Sequence, residues 1–394
     1  MKIGVVTPIP TPYRDPFWNH VAGLQDIDLH VFYCASGKAD RPWATNWRRE
    51  YHLETLPGKN LLGWRGVDCS CYWNPLIVDR LRQGNFDAIV IGGYNHPTML
   101  AAIRWAIKSH CPYFLVCESH LLNARSGWRQ RWKQSLVEWA VGNAAGCLPT
   151  GQLAEQYLRH YGANPETICR LPNVPDMQKI GDEVDALRSK RSELRAAAGL
   201  TEHPIILFVG RLIKKKRADV LLKAFTTADI DKNTQLIIIG DGPQRNALQR
   251  QAANLGLNRQ IRFPGFVEPC DINRWYALSD LFVLPSSETW GVVVFEAIAA
   301  GLPVIVSNEV GCHPDAVTDT CLGQITDVDD VNGLSKAIAH WLNPSTSCAK
   351  KNVLEIVLRS MSYDSIARKF VAWTQQRLDH SNKPQPPNEL TSII

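Results

Sequence analysis

Short apolar runs alternate along this chain with longer amphipathic stretches. "KIGVVT", "LHVFYC", "FDAIVIGG", "YFLVCES" and "GCLPT" read as strands buried on both faces. Between them, "DPFWNHVAGLQ" and "HPTMLAAIRWAIKSH" carry their apolar positions at helical spacing. Strand, helix, strand in that rhythm predicts a parallel sheet clad by helices. Right-handed crossovers then put ligands at the carboxyl ends of the strands.

The rhythm breaks at "LPNVPDM", residues 171–177, with two prolines, and a charged helix over "DEVDALRSKRSELRAAAGL" follows. It then restarts with "PIILFVG", "TQLIIIGDG", "QIRFPGFV", "LFVLPSS" and "LPVIVS". Two α/β domains are therefore expected, residues 1–175 and 176–361. A last helix over 362–380 places Ile366, Phe370 and Trp373 on one side, and the polar, proline-rich tail 381–394 reads as disordered. The cleft between the two domains is the default ligand site.

A length of 394 residues supports that division, since one core rarely grows so large. The net charge of +5 is mild but unevenly placed. Residues 1–175 hold 18 Lys/Arg against 13 Asp/Glu and nine of the thirteen tryptophans; the remainder holds 25 against 25. A basic, Trp-rich first half points to an anionic partner surface, or else to a solvated face over core tryptophans. The eleven cysteines form no CxxC pair, Cys69 and Cys71 being the closest, which reads as reduced thiols in a cytoplasmic protein. "MKIGVVTPIP" is a strand and turn, not a signal peptide, and no run approaches the ~18 apolar residues of a membrane span. Any membrane contact is then peripheral, on the inner face.

Three stretches carry candidate chemistry. In "FVGRLIKKKRADVLLKAF", a strand ends at Gly210, and Arg211 and Lys216 follow where a phosphate would sit; the rival reading is a basic loop facing water. In "IIIGDGP", Gly240 marks either a plain turn or a place where backbone approaches a nucleotide. "SSETWGVVVFEA" is the strongest signal. A helix starting near 291–293 offers free N–H groups to phosphate or sugar oxygens, and Gly291 permits close approach. Glu288 precedes that helix and Glu296 lies one turn in; each carboxylate accepts two hydroxyl hydrogen bonds, which suits a sugar.

In this order, Arg211-x4-Lys216, "GDGP", "GFV" and Glu288-x7-Glu296 within "PSSETWGVVVFEAIAAGLPVIVS" resemble glycosyltransferase family 4, retaining enzymes of the GT-B fold. The resemblance covers 203–341 closely, and "RLPNV" and "SYDSIARKFVAWTQQRL" more loosely. It implies two Rossmann-like domains whose parallel sheets face across a cleft, with the last helix crossing back to the first domain. Arg211 and Lys216 would neutralise the diphosphate of a nucleotide-sugar donor, and Glu296 would bind the ribose hydroxyls. Glu288 would contact the transferred sugar, with the backbone of Gly291, Val292 and Val293 on sugar and phosphate. Trp290 and Gly240 count among the donor contacts, the backbone near Val267 would face the base, and "YFLVCESH" offers His120 as the active-site histidine. There are departures. "TPIPTPYRDPF" has no glycine pair, Arg217 stands where a glycine commonly follows the lysine, and "GCHPD" puts Cys312 and Asp315 where Gly and Glu are usual.

The expected reaction is front-face substitution with retention, the two cations stabilising the departing diphosphate. No cofactor and no metal are expected. "DVDD" at 327–330 reads as a turn and helix cap rather than a metal pair. A carbohydrate or lipid-linked acceptor should dock on the first domain. There, "ARSGWRQRWKQSLVEWAVG" combines Arg125, Arg129, Arg131 and Lys133 with Trp128, Trp132 and Trp139. It reads as an interfacial helix on anionic lipid, or as tryptophans packed into the core. Two rival functions remain at this point. A sugar-nucleotide epimerase of the same architecture would consume donor with no acceptor. A non-catalytic polyanion-binding protein would use the basic half, although nucleic acid is not the expected partner.

Overall fold

The structure, a computed structural model, describes residues 1–37, 48–65, 70–123, 128–318, 320, 322–343 and 351–381. The first sheet contains β1 (Lys2–Thr7), β2 (Asp28–Tyr33) and β3 (His52–Thr55); β4 (Lys59–Asn60) and β5 (Tyr72–Trp73) form a separate hairpin. β6 (Ala88–Ile91), β7 (Tyr113–Cys117) and β8 (Gly146–Pro149) complete the first sheet. Its order is β3-β2-β1-β6-β7-β8, all parallel. The second sheet repeats the plan with β9 (Ile205–Val209), β10 (Gln235–Ile239), β11 (Ile261–Gly265), β12 (Leu281–Leu284), β13 (Val304–Ser307) and β14 (Gly323–Thr326). Its order is β11-β10-β9-β12-β13-β14, again parallel.

In both sheets the chain starts in the middle, runs to one edge, then returns to build the other side. The reversal falls between β1 and β6 in the first domain and between β9 and β12 in the second. Connections on either side of such a reversal leave in opposite directions and open a crevice at the carboxyl edge. The central strands are apolar throughout because helices cover both faces: Ile206, Leu207, Phe208, Phe282 and Val283 have no exposed surface.

The stretch read as one charged helix is two, Met177–Arg188 and Arg191–Ala197. Asp176 caps the first by accepting from the Lys179 amide at 3.1 Å. The break between them suits two arginines that anchor to the entry of β12, far along the chain. Arg191 donates to Asp280 at 2.7 Å, and the buried Arg195 donates to Asp280 at 2.8 Å and to the Leu278 carbonyl at 2.7 Å.

The last helix, Tyr363–Ser381, lies on the first domain. Phe370 packs edge-on to Phe17 and Trp18 with ring centroids 6.3 and 6.0 Å away, and Trp373 meets Phe114 at 5.0 Å. Burying a side chain of this kind stabilises by roughly 1.5–3 kcal/mol. Tyr363 donates to the Val174 carbonyl at 3.1 Å and Arg377 to the Ala145 carbonyl at 3.3 Å. The two Rossmann-like domains with a returning helix are the architecture the sequence led us to expect. The tail beyond residue 381 lies outside the described residues.

Candidate active site

The second domain's crevice is framed by the connections after β9 and β12. After β9, Gly210 donates its amide to the Ile239 carbonyl at 3.0 Å, and Lys214–Lys216 form a single 3-10 turn. Arg217 then adopts φ 51°, ψ 32°, the left-handed region. That conformation costs a side-chain-bearing residue roughly 1–2 kcal/mol, which is why glycine suits the position. Here the guanidinium is held on both sides, by Asp329 and by Asp219, the latter at 3.7 Å. The neighbouring aspartates also have protein roles. Asp330 caps the helix Val331–Leu342 by accepting from the Gly333 amide at 2.9 Å, and Asp327 accepts from Asn308 at 2.7 Å.

After β12, the Ser287 amide donates to the Lys215 carbonyl at 2.8 Å and ties the two connections together. That bond sets the side chains beside it. The Lys216 ammonium sits on the Glu288 carboxylate, to which the Ser286 hydroxyl also donates at 2.6 Å. Burial pushes the Glu288 carboxyl up, but Lys216, the Ser286 hydroxyl and Lys215 outweigh it and hold it below the ordinary carboxylate value. The carboxylate is therefore ionised near neutrality while largely removed from water.

Gly291 follows with φ 109° and begins the helix Val292–Ala299; a Cβ there would lie 2.9 Å from Val310. Val292 and Val293, both half-buried, supply first-turn amides that no helix can satisfy internally. One turn on, Glu296 accepts from the Tyr276 hydroxyl at 2.8 Å. Burial holds its carboxyl above the ordinary value, against the pull of that hydrogen bond. Gly240, at φ 129°, is where the connection after β10 crosses the one after β9: a Cβ would lie 1.9 Å from the Gly210 carbonyl oxygen. The close approach at Gly240 is thus to the chain's own backbone, and it fixes the turn that carries Arg211, with the Leu212 amide donating to the Asp241 carbonyl at 2.8 Å. Val267 is half-buried just past β11, beside the exposed Phe266.

The first domain closes on the Glu288–Trp290 stretch from the other side. His120, just past β7, meets the Glu288 carbonyl through Nε2 at 3.3 Å, and its buried Nδ1 has no hydrogen-bond partner. Burial lowers its pKa, with the Glu288 carbonyl and Glu309 opposing, so the imidazole is neutral at neutral pH. Trp290 donates Nε1–H to the Asn173 carbonyl at 2.6 Å and stacks on Phe295 at 5.6 Å. Its ring is turned into the domain boundary over Gly151, where an added Cβ would come within 2.3 Å of it. Asp315, buried, accepts from the Gln152 amide at 3.0 Å across the same boundary. Cys312, fully buried, lies 3.7 Å from the Gly291 carbonyl oxygen; burial pushes its thiol far up, which makes it inert.

In the first domain's own crevice, at the carboxyl ends of β1, β6 and β7, lies a cavity of about 440 Å³. Thr11, Arg14, Trp18, Glu118 and Asn173 line it from one domain and Thr289 from the other. Arg14 donates to the Leu171 and Pro172 carbonyls at 3.1 and 3.4 Å. Asn173 donates to Glu118. Two buried polar atoms of this lining have no partner: Trp18 Nε1, a donor, and Asn173 Oδ1, an acceptor.

Of the residues singled out from the sequence, Lys216, Glu288 and His120 converge directly, with Arg211 in the turn beside Lys216. Gly291, Val292, Val293 and Glu296 continue from Glu288 along one helix. Trp290 faces the domain boundary instead. Lys133 is exposed, with its ammonium 5.8 Å from the Tyr157 ring centre. Arg125 lies outside the described residues, as do the side chains of Trp128, Arg129 and Trp132, whose backbone lies in or starts the helix Trp128–Gly142. Trp139 on that helix packs against the domain, with Arg104 5.8 Å from its ring centre. Sequence reasoning missed Tyr276, Asn173, Trp18 and the role of Asp315. Their partners are distant in the chain, and only "RLPNV", which contains Asn173, gave a signal.

Two doubly wound domains of parallel strands, joined across a cleft by a returning last helix, are the GT-B fold. Residues 190–352 match the family described as glycosyl transferases group 1. Over 181 residues it is 29% identical to a GDP-mannose-dependent alpha-(1-6)-phosphatidylinositol monomannoside mannosyltransferase of Mycolicibacterium smegmatis, covering 44% of this chain and 46% of the relative. Over 255 residues it is 32% identical to a D-inositol 3-phosphate glycosyltransferase of Nocardia farcinica, covering 54% of each. The chain spans about half the length of these curated relatives it matches. Among solved structures, Anabaena Alr3699/HepE in complex with UDP aligns with a TM-score of 0.72 at 19% identity, over 95% of this chain and 100% of that one.

Proposed function

We propose that this chain transfers a sugar from a nucleotide-sugar donor to an acceptor hydroxyl with retention of configuration. The observation that carries the reading is the Lys216–Glu288 pair, held by the Ser287–Lys215 hydrogen bond at the mouth of the helix that bears Glu296. Arg211 and Lys216 take the diphosphate, Glu288 a hydroxyl of the transferred sugar, and Glu296 the ribose diol. The first-turn amides at Val292 and Val293 add partial positive charge where the leaving group develops its negative charge. His120, neutral and with an unpartnered Nδ1, contacts the sugar from the opposite wall. The leaving phosphate oxygen takes the acceptor proton. Two side-chain cations neutralise the diphosphate, so turnover persists in EDTA.

The acceptor enters the cavity shared with Thr289. Its unpartnered donor on Trp18 and acceptor on Asn173 match a hydroxyl-bearing molecule, since a hydroxyl both accepts and donates. An acceptor site facing the donor site favours transfer over epimerisation. For a lipid-linked acceptor the first domain would rest on anionic lipid through Arg125, Trp128, Arg129, Trp132 and Lys133, together with the exposed Leu121 and Leu122 next to His120. No helix of the described residues is long and apolar enough to cross a membrane.

Thermal-shift and calorimetric screens of UDP-, GDP- and ADP-sugars test the donor reading, because a bound donor raises the melting temperature by mass action. No shift with any of them, alongside salt-dependent oligonucleotide binding, overturns it in favour of a polyanion-binding protein. Flotation with anionic vesicles at low salt tests the lipid contact, and a protein left at the bottom of the gradient removes it.

A further inference from the structure

A second cluster with ligand chemistry lies outside the crevice, at the amino-terminal starts of β2 and β3. Asp28 and His30 are two residues apart on β2 and so project to the same face. His52 on β3 is the direct cross-strand partner of His30 in the parallel register. The sheet thus sets three side chains side by side. One ligand atom from each lies within 4.8 Å of the others. Asp28 Oδ1 is 2.9 Å from His30 Nε2 and 3.9 Å from His52 Nε2.

We infer that Asp28, His30 and His52 form a site for a divalent first-row transition ion such as Zn²⁺. Four ligands at ~2.0–2.2 Å in a tetrahedron stand roughly 3.3–3.6 Å apart, and the two measured separations, 2.9 and 3.9 Å, fall on either side of that spacing. Two imidazoles and one carboxylate suit Zn²⁺, Ni²⁺ or Cu²⁺ and suit Mg²⁺ or Ca²⁺ poorly. The His30 ring is the fixed element: it is half-buried, with Phe86 packed edge-on at 5.5 Å. His52 stacks on His30 at 4.5 Å with 23° between the rings, and its side chain is 75% exposed, so it can turn its Nε2 inward on binding. Lys2, 3.7 Å from the other Asp28 oxygen, is the one nearby cation among the described residues, and it leaves Oδ1 to the ion.

The site lies at the edge of the sheet opposite the sugar chemistry, so its role is to hold strand β3. β3 needs such help: His52, Leu53 and Thr55 are exposed, and it pairs with the sheet only through β2. An ion shared by Asp28, His30 and His52 clips the edge strand to its neighbour and closes the chain between them.

The test is calorimetric titration of the full chain with Ni²⁺, and Co²⁺ titration followed in the visible and near ultraviolet. We expect one site, weakened more than ~10-fold in His52→Ala and in Asp28→Asn, and a Zn²⁺-dependent rise in melting temperature lost in both variants. His52 is on the exposed edge, so His52→Ala folds. The inference is overturned by absence of binding, by affinity unchanged in both variants, or by a thiolate-to-Co²⁺ charge-transfer band showing that cysteines hold the ion.

Discussion

Replacing Lys216 by alanine separates its ion pair with Glu288 from the role proposed for it at the leaving group. In the resting protein it offsets the charge of Glu288, in a pair whose side chains are only 12% and 15% exposed. At an effective dielectric of ~20, unit charges about 4 Å apart attract by roughly 4 kcal/mol. Losing one partner of a buried pair costs about 3–5 kcal/mol because the other charge stays behind. Lys216→Ala should therefore fall near the low end of that range in urea unfolding, since Ser286 and Lys215 still face the carboxylate. The double variant Lys216→Ala/Glu288→Gln should recover most of the loss. Turnover behaves differently. Removing one preorganised donor to the leaving group costs about 100- to 1,000-fold in kcat, roughly 3–4 kcal/mol, and the double variant recovers none of it. The assay is nucleotide release from the donor identified by thermal shift, run beside the denaturation series. A single variant with kcat within threefold of the parent, or a double variant no more stable than the single one, would refute the reasoning.

Three further outcomes follow from the geometry. Arg217→Gly relieves the left-handed backbone but gives up ion pairs with exposed aspartates and adds unfolded-state entropy, so its stability should stay within ~1 kcal/mol of the parent; Arg217→Val should fall well below it in the same unfolding assay. Gly240→Ala puts a methyl 1.9 Å from the Gly210 oxygen at φ 129°, and should cost ~2–4 kcal/mol with loss of donor affinity by calorimetry. Glu296 has a raised carboxyl pKa; if it binds the ribose diol in its ionised form as proposed, nucleotide affinity should fall as pH is lowered through that pKa. Tyr276→Phe removes a hydrogen bond that favours the ionised form, and should move the fall to higher pH in titrations from roughly pH 8 to 5. For stability the signs are opposite at the two carboxylates. Glu288, with its pKa depressed, adds stability above the unfolded value that is lost as pH drops through the folded one. Glu296, with its pKa raised, adds stability at low pH that is lost as pH rises through its folded value.

What could be read from the sequence was what local chemistry determines. Runs such as "PIILFVG" and "LFVLP" are apolar because both faces are covered, and they became β9 and β12. The cation–carboxylate pattern was legible because two short loops carry it. β3 was not, since "HLET" at an exposed edge has no apolar run to announce it. The split at Ser189–Lys190 was hidden as well, because the arginines that justify it answer to Asp280, far along the chain. Trp290 illustrates the limit most clearly. Its neighbours mark it as a donor contact, while its partner, the Asn173 carbonyl, belongs to the other domain. Arg217 ran the other way: the missing glycine was visible, but the aspartates that hold a charged side chain in a glycine conformation were not.

The indole bridge from Trp290 to Asn173 sits two residues beyond Glu288, the carboxylate paired with Lys216. One peptide segment is thus both latch and, in the proposed reaction, floor of the site. The two halves cannot swing apart without tugging on Glu288 and stripping His120 of its carbonyl contact. In the proposed transfer reaction, product escape and reassembly of the reacting groups are for that reason a single motion, and a change that loosens the latch should shorten the time the spent nucleotide stays bound.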